Sequence, residues 1–110
     1  MIILDTNALI YSIKERINLE KFIKEEIGIP TSAIRELEDL STRDVNAKLA
    51  LKLIGRYKIL NVVASGDRGI IEAATKYGGN VLTNDRVLQK SLKERNIRVT
   101  TVTKNTVRKL

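Results

Sequence analysis

Ile2-Ile3-Leu4-Asp5-Thr6-Asn7 is a run of three large aliphatic residues followed at once by an acid and two helix-capping residues. Such a run reads as a short buried strand that passes directly into a helix. The pattern recurs at Val81-Leu82-Thr83-Asn84-Asp85. It recurs more loosely where a strand over Ile59 to Ala64 meets Ser65-Gly66-Asp67.

Between these anchors the apolar spacing is mostly helical. Leu9, Ile10, Ile13 and Ile17 form one face, and Leu19, Phe22, Ile23 and Ile27 a second that Gly28 closes as a C-cap. Pro30 biases Ile29 toward extended backbone, so a short edge strand is expected there, with Ser32 capping the next helix through Ile34, Leu37 and Leu40. Asp44 caps a helix carrying Val45, Leu49, Leu53 and Ile54. A further helix carries Ile70, Ile71, Ala74 and Tyr77 and stops at Gly78-Gly79-Asn80. Another, with Val87, Leu88 and Leu92, follows Asp85. Ile97 to Val102 alternates as a last strand, and residues 103–110 read as a basic tail with Lys104, Arg108 and Lys109. Strands alternating with helices predict an α/β fold in one domain over residues 1–110, with a central parallel sheet between helical layers.

Composition narrows the chemistry. The 110 residues contain no Cys and no His, which excludes disulfides, thiolate zinc sites, Ser-His-Asp triads and any His-ligated metal. Twenty Lys and Arg against thirteen Asp and Glu leave a net charge of +7, which favours polyanions such as nucleic acid. No stretch is apolar enough to cross a membrane, and the N-terminus has no basic n-region, so a cytoplasmic protein is expected.

Three of the five Asp residues, Asp5, Asp67 and Asp85, follow strands. In an open parallel sheet the carboxyl ends of the strands share one rim, where ligand crevices form. A single Asp in this position is ordinarily a helix cap. Three in one niche predict a carboxylate cluster, and Glu36, one turn after Ser32, is the candidate fourth member, with Glu38 and Asp39 nearby as alternatives. Carboxylates without His or Cys are hard oxygen donors suited to Mg²⁺ or Mn²⁺. An acidic pocket in a basic chain points to metal-assisted phosphodiester hydrolysis.

These residues resemble the PIN-domain nucleases. Ile3-Leu4-Asp5-Thr6-Asn7 is similar to that family's opening motif, Glu36-Leu37 to its helical Glu, Asp67 with Ile70 and Ala73 to its third motif, and Leu82-Thr83-Asn84-Asp85 to its fourth. The resemblance spans Ile2 to about Val102. It implies a three-layer α/β/α sandwich and Mg²⁺- or Mn²⁺-dependent ribonuclease activity. By the same resemblance Asp5, Glu36, Asp67 and Asp85 form the catalytic metal site, with Asn7, Thr83 and Asn84 in support. Gly66-Asp67-Arg68 resembles the branch related to ribosomal RNA processing factors more than the VapC-type toxins, although that branch often carries a second Asp where Arg68 stands.

The expected partner is RNA, met by Arg86, Lys90 and Lys93 on the helix after Asp85. A homodimer, an antitoxin and a ribosome-assembly partner stay open, and a membrane is not expected. The rival classes are a catalytically weak RNA-binding scaffold and a phosphate-binding α/β domain that uses helix N-termini.

Overall fold

In the computed structural model, which describes residues 1–103 and 106–110, one six-stranded sheet organises the chain. The elements are β1 (Ile2–Leu4), α1 (Thr6–Lys14), α2 (Leu19–Phe22), β2 (Ile27–Pro30), α3 (Thr31–Leu40) and α4 (Val45–Leu53). After a 3-10 turn at Ile54–Arg56 come β3 (Lys58–Leu60), α5 (Gly66–Tyr77), β4 (Asn80–Leu82), α6 (Arg86–Glu94), β5 (Val99–Thr103) and β6 (Thr106–Lys109). The strand order is β3-β2-β1-β4-β5-β6. All neighbours are parallel except β5 and β6.

Alternation along the strands divides the core in two. Ile2 and Leu4 of β1 face one layer with Leu9, Ile29, Ala33 and Leu37, while Ile3 faces the other with Ile70, Ala73, Leu88 and Leu92. Helices α1, α3 and α4 thus cover one face, and α5 and α6 the other. This is the α/β/α sandwich the sequence predicts. β1 is buried along its whole length, which explains its uninterrupted apolar run.

The structure departs from the sequence reading in several places. The second helix ends at Phe22, and Gly28 lies inside β2 instead of capping a helix. A Cβ there would stand 2.7 Å from Leu60 Cδ1 and 2.8 Å from the Met1 sulfur, so close packing, not a turn, requires the glycine. β2 is an interior strand between β1 and β3, and β3 holds the edge. The N-cap of α3 is Pro30, which leaves Ser32 inside the first turn.

The strand expected over Ile59 to Ala64 stops at Leu60. The last strand runs on to Thr103. The expected basic tail over 103–110 is then largely a strand, because Thr106–Lys109 pairs antiparallel with β5 and makes the sheet mixed. Lys104 lies outside the described residues. The expected Asp44 cap and Gly78 stop are both present: Asp44 Oδ1 accepts from Asn46 N at 2.8 Å, and Gly78 has φ +68.

Candidate metal and phosphate site

Parallel strands bring the carboxyl ends of β1 and β4 side by side, and both end in a capping Asp. Asp5 Oδ1 accepts from Ala8 N at 2.7 Å, and Asp85 Oδ1 accepts from Leu88 N at 3.0 Å. The capping and pocket readings of these residues are therefore compatible. One oxygen holds the helix, and the other is not used by the cap. Thr83 links the two acids. Its hydroxyl donates to Asp5 Oδ2 at 2.5 Å and accepts from Asp85 N at 3.1 Å. Gln89 Nε2 secures the same turn by donating to the Thr83 carbonyl at 2.8 Å.

Asp5, Glu36, Asp67 and Asp85 all line one pocket at this rim, with Thr6, Asn7 and Ser32 among its other walls. Glu36 comes from the first turns of α3, where Thr6 Oγ1 donates to its Oε2 at 3.1 Å. Asp67 lies in the first turn of α5, after the N-cap Ser65. Asp5 is buried, whereas the other three carboxylates are exposed at the mouth.

The electrostatics follow from this placement. Burial pushes the Asp5 carboxyl above its ordinary range. The hydrogen bonds from Thr83 and Ala8 pull it down, and the charges of Asp85 and Asp67 push it up again. Burial raises Asp67 as well, followed by the Asp85 charge. Among the described residues there are two ion pairs, Met1 with Glu25 and Arg56 with Glu20, and neither reaches the pocket. No basic side chain of the described residues neutralises the cluster. Among the described residues no three acids are gathered tightly enough, as they stand, to hold one ion between them.

A profile of the PIN like domain matches residues 2–105. The chain belongs to the PIN-like domain family. Ribonuclease VapC9 of Archaeoglobus fulgidus is 35% identical over 106 residues, covering 88% of this chain and 78% of the relative. Ribonuclease VapC4 of Methanocaldococcus jannaschii is 38% identical over 117 residues, covering 92% and 88%. The fold also matches a domain of a functionally unknown protein from Methanocaldococcus jannaschii, with TM-score 0.72 at 21% identity over 93% of this chain and 90% of that one. Both curated relatives carry VapC names. The expected leaning toward the ribosomal RNA processing branch is therefore corrected toward VapC. The Gly66-Asp67-Arg68 context that suggested it is too short to decide a branch.

The supporting residues of this PIN-like domain divide by position. Asn7 is exposed on the pocket wall, and Thr83 bridges two of its acids. Asn84 does not line the pocket. Its amide donates to the Val102 carbonyl at 2.8 Å and accepts from Val102 N at 2.9 Å, bracing the β4–α6 turn against β5. Arg86, Lys90 and Lys93 share one exposed groove along α6 at helical spacing.

Sequence reasoning missed Thr6 as the partner of Glu36, although Thr6 stands within the quoted motif. It also missed Ser32 as a pocket wall. The Ser32 hydroxyl is buried and has no hydrogen-bond partner among the described residues.

Proposed function

We propose that this PIN-like domain is a divalent-metal-dependent ribonuclease of the VapC type. The carrying observation is the convergence of Asp5, Glu36, Asp67 and Asp85 on one pocket that no cation among the described residues neutralises. The donor set fits Mg²⁺ or Mn²⁺: it is all oxygen, and mutual repulsion within it calls for a positive charge. Mg²⁺ commonly takes only one or two protein carboxylates and fills its shell with water and phosphate oxygens, which suits acids that are neighbours without being tightly gathered. Asp5 and Asp85 are the primary ligands in this reading, and Glu36 and Asp67 complete the site directly or through water.

When bound, the ion supplies Lewis-acid stabilisation of the phosphodiester and an acidified water. The chain's own part is orientation. Thr83 holds the free oxygen of Asp5, Thr6 holds Glu36, and the α1 and α6 N-termini fix the other oxygens of Asp5 and Asp85. Asn7, exposed on the wall, is placed to meet the substrate. The names of the two relatives support the toxin-like alternative over a processing factor. RNA is then the substrate and an antitoxin the regulatory partner, in the cytoplasm.

The direct test is incubation of mixed RNA with the protein and Mn²⁺, Mg²⁺ or EDTA. Cleavage with either ion and none in EDTA is expected. Cleavage undiminished in EDTA would remove the metal from the mechanism, and intact RNA under all three conditions would overturn the ribonuclease reading.

Binding should separate from cutting. Arg86, Lys90 and Lys93 form one stripe that starts beside Asp85, so phosphates on either side of the scissile bond can follow it. Lys90→Glu is expected to weaken binding on all RNA sequences by a few-fold to tenfold and to lower the salt dependence. The divalent-ion concentration needed for cleavage should hardly change. Unaltered affinity and salt slope in Lys90→Glu would take the phosphate path off α6.

A further inference from the structure

Of the four pocket acids, three are tethered by their own side chains. Asp5 and Asp85 cap helices, and Glu36 accepts from Thr6. The Asp67 carboxylate takes no hydrogen bond among the described residues. Its position over the pocket is therefore decided by its backbone in the first turn of α5, and by the loop from β3 that leads into that turn.

That loop is held in an uncommon way. Beyond Leu60 its backbone leaves the sheet, yet its N–H groups are taken up by side chains. Asn61 N donates to the Tyr77 hydroxyl at 3.1 Å, and Val62 N to Thr31 Oγ1 at 3.0 Å. Val63 N and Ala64 N both go to Glu72, at 2.9 and 3.0 Å. Tyr77 and Thr31 hold the part near the sheet, whereas Glu72 holds the two residues just before the turn at Ser65 and Gly66. Gly66 is in the left-handed region at φ +59, and Ser65 caps α5 without a side-chain hydrogen bond. At the end of the loop next to Asp67, Glu72 is the side chain that takes up backbone N–H groups, while the Ser65 carbonyl accepts from Gly69 N at 3.3 Å as α5 begins. A charged acceptor bridging two adjacent N–H groups is a strong one.

We propose that Glu72 is the positioning residue for Asp67, fixing from outside the pocket the loop that carries this carboxylate to its mouth. Glu72 does not line the pocket and is no ligand itself. Its consequence for cation binding rests on the metal-site reading above, but its effect on Asp67 does not.

The experiment uses the full chain with Glu72→Ala, Glu72→Gln and Asp67→Asn, singly and combined, with two readouts. Backbone amide resonances report position without metal. In Glu72→Ala the shifts should extend from Val63 and Ala64 through Gly66 to Asp67 and leave Asp85 in place. Mn²⁺ binding by calorimetry reports the consequence. Glu72→Ala should weaken it about tenfold, as loss of an outer-shell partner commonly does. Glu72→Gln, whose amide oxygen still accepts, should fall between Glu72→Ala and the unaltered chain, and it guards against a variant that fails to fold.

In the Asp67→Asn background, Glu72→Ala should add nothing. Shifts that stop at Ala64, or an equal loss of Mn²⁺ affinity with and without Asp67, would overturn the proposal. If the unaltered chain binds no Mn²⁺, the metal reading fails, and the amide map alone decides on Glu72.

Discussion

Asp5→Asn is expected to abolish divalent-dependent RNA cleavage while leaving the metal-free fold as stable as before, or more so. An Asn keeps the shape of the site. Its Oδ1 can still accept from Ala8 N, and its amide can face the Thr83 hydroxyl as a donor. What disappears is the charge. Loss of a charged ligand that contributes several kcal/mol to the transition state corresponds to a drop in rate on the order of a hundredfold or more. Cleavage of RNA at saturating Mn²⁺ measures the first effect, and a metal-free melting curve the second. A large fall in melting temperature with cleavage intact would make Asp5 a helix cap and nothing more.

The pH dependence of the same variant carries a definite sign. Burial and the neighbouring acids raise the Asp5 carboxyl in the fold above its ordinary 3.8. The native state therefore binds the proton more tightly than the unfolded chain does. Ionisation costs stability at neutral pH, and that cost is withdrawn as pH falls through the raised value. Asp67 acts in the same direction. Glu72 acts oppositely: its two backbone hydrogen bonds lower its carboxyl below 4.5, so its contribution is present above that range and lost on further acidification. Any advantage of Asp5→Asn in metal-free melting temperature should thus shrink as pH falls through the raised Asp5 value, below which the unaltered Asp5 is also neutral. An advantage constant across that range would mean that relief of charge is not its source.

Which parts of this site were legible in the sequence depends on how local their causes are. The strand-then-acid pattern at Leu4-Asp5 and Thr83-Asp85 is decided within a few residues, and both acids stand where that pattern puts them. β2 was legible only in part: a short strand was expected at Ile29, but Gly28 and Pro30 carry the local signals of a helix stop and a sheet edge. Their actual roles depend on Met1 and Leu60, which only the folded chain brings near. β6 contains one apolar residue, Val107, among Thr, Arg and Lys, and becomes a strand by pairing with β5. Glu36 was a candidate from its place one turn after Ser32, and the resemblance singled it out from Glu38 and Asp39, which spacing alone does not exclude. Ser32 and Glu72 had no signal at all. Their importance comes from an empty hydrogen-bond position and from a loop eight or nine residues upstream.

The packing of α3 against α5 yields the second large effect, at Gly69. Two of the pocket acids ride on these helices, Glu36 on α3 and Asp67 on α5. The helices approach where Gly69 meets Ser32, and no side chain intervenes. A Cβ at Gly69 would stand 2.7 Å from the Ala64 carbonyl oxygen and closer still to the Ser32 hydroxyl. The Ala64 carbonyl is backbone and cannot swing away, so the helices or the loop must move.

Overpacking of this kind costs about 1–3 kcal/mol, against a gain of up to about 1 kcal/mol from replacing a helical glycine. Gly69→Ala should therefore lower the melting temperature by several degrees. Cleavage should fall more than stability alone accounts for, because Glu36 and Asp67 are pushed apart. Ser32→Ala, which removes an unpartnered hydroxyl, should by itself be neutral or stabilising. Combined with Gly69→Ala it should restore part of both losses, since it removes the nearest of the three clashing atoms and leaves Ser32 Cβ and the Ala64 carbonyl oxygen, each 2.7 Å away. If Gly69→Ala melts and cleaves like the unaltered chain, the contact between α3 and α5 does not hold the spacing of the pocket. If Ser32→Ala brings no recovery, those two remaining atoms dominate the clash, and the backbone of α3, α5 or the loop is what gives way.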